Sequence, residues 1–196
     1  MDTARHWMGI FLIVGLPPAV GYWCVAHPLA SFWRRLGPRW ALTILLSGLG
    51  VGWWGMWQIR EWALGADLGT NLALVGPAVL VYSASIILEV KIRKHLKLNV
   101  LVGVPEFSSA DEKGRVLSEG IYGRVRHPRY VAILIGTLGW ALFVNHVGVY
   151  VLVILTLPGL YLVAVLEERE LLERFGDEYA RYCERVPRFV PRFRAG

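Results

Sequence analysis

Apolar runs of near-membrane length dominate this chain and leave it few folds. A helix needs about 20 residues to cross the hydrocarbon core of a bilayer, and five runs approach that length, at 7–26, 40–57, 70–90, 128–144 and 147–166. Composition agrees. Of 196 residues, 55% are hydrophobic and 18% charged, where a soluble domain would be nearer half apolar and a quarter charged. The pattern predicts an all-α protein, an integral membrane bundle of five transmembrane helices. The last two form a helical hairpin, and an amphipathic helix follows at the C-terminus. Residues 1–196 read as a single membrane domain, with three spans in 1–90, a loop over 91–127, and the hairpin and C-terminal helix over 128–196. Pro17-Pro18 and Pro158-Gly159 should kink the first and fifth spans. The first run lacks a small-residue cleavage site and reads as a retained span. From Tyr130 to Val144 the fourth run gives only ~22 Å of helix, so the hairpin is expected to tilt or stop short of the ~30 Å core.

Charge sets the orientation. Apart from Arg5 and Arg60, every Lys and Arg lies in 27–39, in 91–129 or after 166. Five spans put these three segments on one side, and the positive-inside rule makes it the cytoplasm, with the N-terminus outside. Trp40, Trp53, Trp54 and Trp57 fall near the ends of the second span, where aromatic belts form. The net charge of +6 flanks apolar spans, so it points to membrane lipids with anionic headgroups and not to nucleic acid. Cys24 and Cys183 stand far apart, and no Cys/His cluster has the spacing of a metal site, so no metal is expected.

Two polar blocks flank the hairpin on the cytoplasmic side: GIYGRVRHPRY at 120–130, and EERELLERFGDEYARYCERVPRFVP at 167–191. Each has a plain reading. His127-Pro128 starts a helix, since proline suits the first helical position, and Arg124, Arg126 and Arg129 then snorkel to lipid phosphates. Glu167 and Glu168 open a solvated helix, with Glu170 and Arg174 as an i,i+4 pair. Leu171, Phe175, Tyr179, Tyr182 and Val186 share one face at helical spacing, which suits a helix on the membrane surface or over a pocket. The chemical reading is that imidazole and guanidinium groups at a membrane mouth bind a polar ligand. Carboxylates beside a hydrocarbon core are expensive and default to function. The Gly120 turn has no Walker or dinucleotide pattern, and no Ser-His-Asp arrangement is evident.

Taken in order, Gly-x-Tyr-x-x-Val-Arg-His-Pro-x-Tyr, two apolar runs and Glu-Glu-x-x-Leu-x-x-x-Phe-Gly-x-Glu-Tyr-x-x-Tyr-x-x-x-Val-Pro-Arg-Phe-x-Pro form a long pattern. It resembles the isoprenylcysteine carboxyl methyltransferases and the related phospholipid N-methyltransferases over about residues 114–192. The resemblance implies an S-adenosylmethionine-dependent membrane methyltransferase whose C-terminal half binds the cofactor without a Rossmann fold. It implies that Arg115, Val116 and Leu117 present backbone to the adenine, with the Gly120 turn placing Tyr122 on the nucleoside. Arg126, His127, Pro128, Arg129 and Tyr130 would line the cofactor, and Glu167 would complete its site, with Glu168 as the second candidate. These residue types suit the ligand: aromatic faces and carboxylates for a sulfonium cation, Arg and His for a carboxylate. An amine or thiol acceptor must also lose a proton, which makes Glu167, Glu168 and His127 the candidate catalytic groups.

One position departs from the pattern. Prenylcysteine enzymes place a substrate-contacting arginine four residues before the first glutamate, and here that position is Val163. The acceptor therefore reads only as a lipid-like or small hydrophobic molecule, with carboxylate, phospholipid amine and thiol all open. Two other classes compete. An NADPH-dependent sterol or enone reductase would use Arg124 and Arg126 for a 2′-phosphate, although such enzymes usually have more spans. A lipid-holding scaffold would ignore Glu167→Gln and His127→Ala.

Overall fold

The computed structural model describes residues 1–94 and 116–192, so Arg115 and most of the loop expected at 91–127 lie outside it. Among the described residues the chain is helical, with no strand. Eight α-helices follow in order: α1 Asp2–Ala26, α2 Ala30–Leu36, α3 Pro38–Gln58, α4 Arg60–Leu64, α5 Leu72–Arg93, α6 Pro128–Val144, α7 Val147–Phe175 and α8 Asp177–Arg185. A 3-10 turn at Gly120–Gly123 precedes α6. In hydrocarbon no water satisfies the backbone, so an apolar run must take up its own hydrogen bonds as helix.

Three helices are long and apolar enough to cross a membrane, α1, α5 and α7. The fourth apolar run, α6, is shorter, at 17 residues. The expected second span is α3, which has the length, but its glycines and four tryptophans dilute its hydropathy. The two short loops of the N-terminal half each contain a brief helix, α2 and α4.

Two features hold the helices together. Along the α5–α6 interface, the most extensive among the described residues, small residues let the backbones approach. A Cβ added at Gly139 would stand 2.8 Å from the Tyr82 nitrogen, and one at Gly136 would stand 2.8 Å from Ser85 Oγ. Ser85 Oγ donates to the Ala132 carbonyl at 2.8 Å, a bond that lipid cannot replace. Where α1, α4, α6 and α7 meet, Ile10, Ile13, Leu64, Ala141, Val144, Val149 and Leu152 form one apolar cluster.

That cluster is closed by an arginine that the sequence reading left on the outer side. Arg5 is 1% exposed. It donates to the last carbonyl of α6, Val144, at 2.9 and 3.1 Å. It also reaches Asp2, Thr70 and Asp67. Asn145, left-handed at φ 52°, then turns the chain into α7.

The fifth run departs from expectation. It does not stop at Leu166; the helix continues to Phe175, because Glu-Glu-Arg-Glu-Leu-Leu-Glu-Arg are good helix formers and no glycine intervenes before Gly176. Gly176, at φ 57° and ψ −129°, takes a conformation open to glycine almost alone, and α8 starts in a new direction. The C-terminal amphipathic helix is therefore two pieces. Its apolar face survives the break: Tyr179, Tyr182 and Val186 pack with Leu171 and Phe175 across it.

Candidate functional site

Proline at the first position of α6 fixes where that helix begins and leaves His127 as its N-cap. The His127 side chain makes no capping bond, so its ring is available to face α7. Both ring nitrogens meet carboxylates: Nδ1 lies 3.2 Å from Glu167 Oε2 and Nε2 lies 2.9 Å from Glu168 Oε1. The ring is 5% exposed and stacks on Tyr130 with centroids 5.3 Å apart. Burial pulls its pKa down, but its hydrogen bonds to Glu167 and Glu168 and their negative charge outweigh that and hold it above the ordinary histidine value. A ring that donates from both nitrogens is the imidazolium.

The two glutamates differ. Glu167 accepts from the Tyr130 hydroxyl at 2.7 Å, and its side chain is 28% exposed against 8% for Glu168. Glu168 takes Arg126 Nε and Arg188 Nε at 3.0 Å each, and Arg188 Nη2 at 2.6 Å, besides His127. Through Arg126 it reaches further, since Arg126 Nη1 donates to the carbonyls of Cys183 and Val186 at 2.8 and 2.6 Å. The amides of Arg126 and His127 donate to the carbonyls of Pro187 and Arg188 at 2.9 and 3.0 Å. Residues 186–189 thus form a strap across the start of α6, and Phe189 and Tyr161 add aromatic faces beside His127 and Arg188.

The structure brings Arg126, His127, Tyr130, Glu167 and Glu168 together. Pro128 is fully buried as the helix start, and the Arg129 guanidinium lies 6.0 Å from the Trp23 ring. The remaining candidates stand apart from this knot. Tyr122 is buried with Ile92, Ala132 and Leu117, its phenol pushed up in pKa by burial, and its carbonyl accepts from the Tyr182 hydroxyl at 2.7 Å. Val116 packs on the Tyr179 cluster. Gly120 lines an open pocket with Lys91, Lys94, Ile121 and Arg124.

Sequence reasoning missed a neighbouring group. Glu170, one turn beyond Glu167 and 4% exposed, faces His27 Nδ1 at 2.8 Å and Arg34 Nη1 at 3.4 Å. His27 in turn stacks on Trp23 at 5.2 Å. The N-terminal half thereby reaches the carboxylate end of α7. His27 and Arg34 looked like loop residues, and no spacing tied them to position 170. Arg188 did carry a signal, the Val-Pro-Arg-Phe of the second block, but not one that named its partner. Val163, one turn before Glu167, is 1% exposed and packed in the bundle.

Comparison with known proteins meets this geometry. A methanethiol S-methyltransferase of Bradyrhizobium diazoefficiens is 29% identical over 140 residues, 69% of this chain and 45% of its own length. The protein-S-isoprenylcysteine O-methyltransferase of Schizosaccharomyces pombe is 34% identical over 77 residues, 39% of this chain and 33% of its own. A Delta(14)-sterol reductase of Mus musculus is 35% identical over 86 residues, 39% of this chain and 19% of its own. The chain thus spans less than half the length of these relatives. Residues 73–178 match the phospholipid methyltransferase family, a stretch that runs through α5, α6 and α7 and contains His127, Tyr130, Glu167 and Glu168. With more than half of its residues in that match, the chain belongs to the phospholipid methyltransferase family.

Proposed function

We propose that this chain is an integral membrane methyltransferase that moves a methyl group from S-adenosylmethionine to a lipid-like or small hydrophobic acceptor. We read it as crossing the bilayer five times, with the His127–Glu167 site on the cytoplasmic side. One observation carries the reading: Glu167, the more exposed of two carboxylates at the end of an apolar helix, is held toward the start of α6 by Tyr130 and His127.

The residues fit the cofactor's chemistry. When bound, S-adenosylmethionine supplies an electrophilic methyl group on a sulfonium cation. Glu167 and the rings of Tyr130, Tyr161 and Phe189 suit the cation, and Arg129 suits an amino-acid carboxylate. Arg126 is committed to Glu168 and two carbonyls, so its part is to hold the strap. Val116, Leu117 and Tyr122 supply the wall that the resemblance assigns to the nucleoside.

Among the three candidate proton-handling groups, His127 already holds its proton between two carboxylates and Glu168 is saturated by cations. Glu167 is then the group to take a proton from a thiol or amine acceptor. Its location at the edge of hydrocarbon keeps water scarce, which favours transfer to a desolvated nucleophile. Val163 offers a substrate carboxylate no partner, which favours thiol or phospholipid amine acceptors over prenylcysteine.

The test is calorimetric titration of the detergent-purified protein with S-adenosylhomocysteine, repeated on Glu167→Gln, His127→Ala and Tyr122→Phe. Saturable binding that disappears in Glu167→Gln and His127→Ala supports the reading. A well-folded protein that ignores S-adenosylhomocysteine and binds NADPH makes it a reductase instead, the class that the sterol reductase similarity favours. Arg126, bound to Glu168, is poorly placed to hold a 2′-phosphate.

A further inference from the structure

The sequence reading sent all the basic residues near the hairpin to lipid phosphates. The structure sorts them. Arg126 and Arg188 turn inward to Glu168, Arg34 to Glu170, and Arg93 lies 3.9 Å from Glu89. Three further cations, Lys91, Lys94 and Arg124, converge. Together with Gly120 and Ile121 they line a pocket of about 300 Å³. Among the described residues no carboxylate lines it, and none of the three pairs with a carboxylate.

Lys91 closes the last turn of α5 and Lys94 follows its end at i,i+3, so their side chains lie on one side of the helix, where like charges repel. Arg124 comes from the residue after the 3-10 turn and adds a third positive charge to the same concavity. Gly120 contributes backbone and no side chain to the wall. Three convergent cations without a counter-charge among the described residues are an arrangement that a bound anion stabilises. Their level in the membrane names the anion. Leu72–Arg93 is apolar enough to cross a bilayer, so residues at its end stand among the headgroups.

We propose that Lys91, Lys94 and Arg124 form a binding site for a phosphate group, supplied by an anionic phospholipid of the surrounding leaflet. The site lies apart from the His127–Glu167 knot and does not depend on the transfer chemistry proposed above. It holds a lipid as a ligand, not as the methyl acceptor.

The experiment titrates phosphatidylglycerol, and separately phosphatidylcholine, into the detergent-purified full-length chain and counts bound lipid by native mass spectrometry. The Lys91→Gln/Arg124→Gln double variant is compared with Arg35→Gln/Arg39→Gln, which removes the same charge from exposed positions elsewhere. Each basic residue at an anionic surface contributes roughly a fivefold factor in affinity, so the pocket variant should bind phosphatidylglycerol about 25-fold more weakly. The control variant should bind as the unaltered protein does, and millimolar inorganic phosphate should compete only weakly. Equal loss in both variants reduces the effect to net charge and overturns the site. Equal affinity for phosphatidylcholine overturns the anion chemistry. Tight binding of inorganic phosphate with no gain from the lipid overturns the lipid as its source.

Discussion

Glu168→Gln is the most informative single change, because one carboxylate holds three cations and, through them, the strap. The substitution keeps the shape of the side chain and removes its charge. Glu168 meets Arg126 at 2.9 and 3.0 Å, His127 at 2.9 Å and Arg188 at 2.6 and 3.0 Å. Removing one member of a buried ion group typically costs ~3–5 kcal/mol, because the partners are left uncompensated. Arg188 is 28% exposed and regains some hydration, which argues for the lower figure, about 3 kcal/mol. At about 1.4 kcal/mol per decade that is roughly a 100-fold shift toward the open strap. Hydrogen–deuterium exchange reads it directly, since the Arg126 and His127 amides are bonded to the strap carbonyls of Pro187 and Arg188. Both amides should exchange about 100-fold faster in Glu168→Gln, while those in the middle of Val147–Phe175 stay protected and Glu173→Gln, at an exposed position, changes neither. A change below about threefold, or roughly 0.7 kcal/mol, would refute the assignment of Glu168 as the anchor.

Four further outcomes follow from the geometry. Gly139→Ala places a Cβ against the Tyr82 backbone and should cost about 1–3 kcal/mol, lowering the thermal midpoint in detergent. Gly48→Ala, in the interior of α3, meets nothing within 4 Å and should raise it slightly, by about 0.5–1 kcal/mol. Arg5→Met leaves the Val144 carbonyl and Asp67 without their cation and should cost about 3 kcal/mol, readable in the same melt. An unchanged midpoint would remove Arg5 from the structural account. For His127, a folded pKa above the ordinary histidine value of 6.5 means that its charge stabilises the fold fully below that value, and the contribution is lost as pH rises through the raised one. Its ring resonance should therefore titrate above 6.5, and Glu168→Gln should bring the midpoint down.

Period and punctuation made much of this fold legible. Pro128 announced the start of α6, and the apolar runs located α1, α3, α5, α6 and α7 to within a few residues at most ends. The end of α7 was not legible, because a change from apolar to charged residues was read as the end of a helix. Polarity marks where a span leaves hydrocarbon; only a residue such as Gly176, at positive φ, marks where the helix stops. In the site, the ordered blocks named His127, Tyr130, Glu167 and Glu168. The resemblance set Glu167 ahead of Glu168 but gave no physical reason, since that depends on which one Arg126 and Arg188 reach across 42 and 20 residues of chain. Buried ion pairs between distant segments leave no spacing to read, and Arg5 and Glu170 went unseen for that reason.

Three carboxylates within one turn of an apolar helix are costly to desolvate, and the way the cost is offset separates structure from chemistry. Glu167, Glu168 and Glu170 point in different directions because successive residues turn by about 100°. Glu170 is met by His27 and Arg34, which tie α7 to the N-terminal helices. Glu168 is met chiefly by Arg126 and Arg188, which tie it to the strap. Each of these carboxylates faces protein cations and is almost wholly buried. Glu167 is different: its neighbours are a hydroxyl and a ring already shared with Glu168, and over a quarter of its side chain is exposed. Its partners, His127 and Tyr130, also lie within the stretch matched to the family, whereas His27 and Arg34 lie outside it. A carboxylate oriented on one side, open on the other and set at the edge of hydrocarbon is the one with capacity left for a cationic ligand. On that ground we propose Glu167, rather than the better-bonded Glu168, as the carboxylate that serves the transfer.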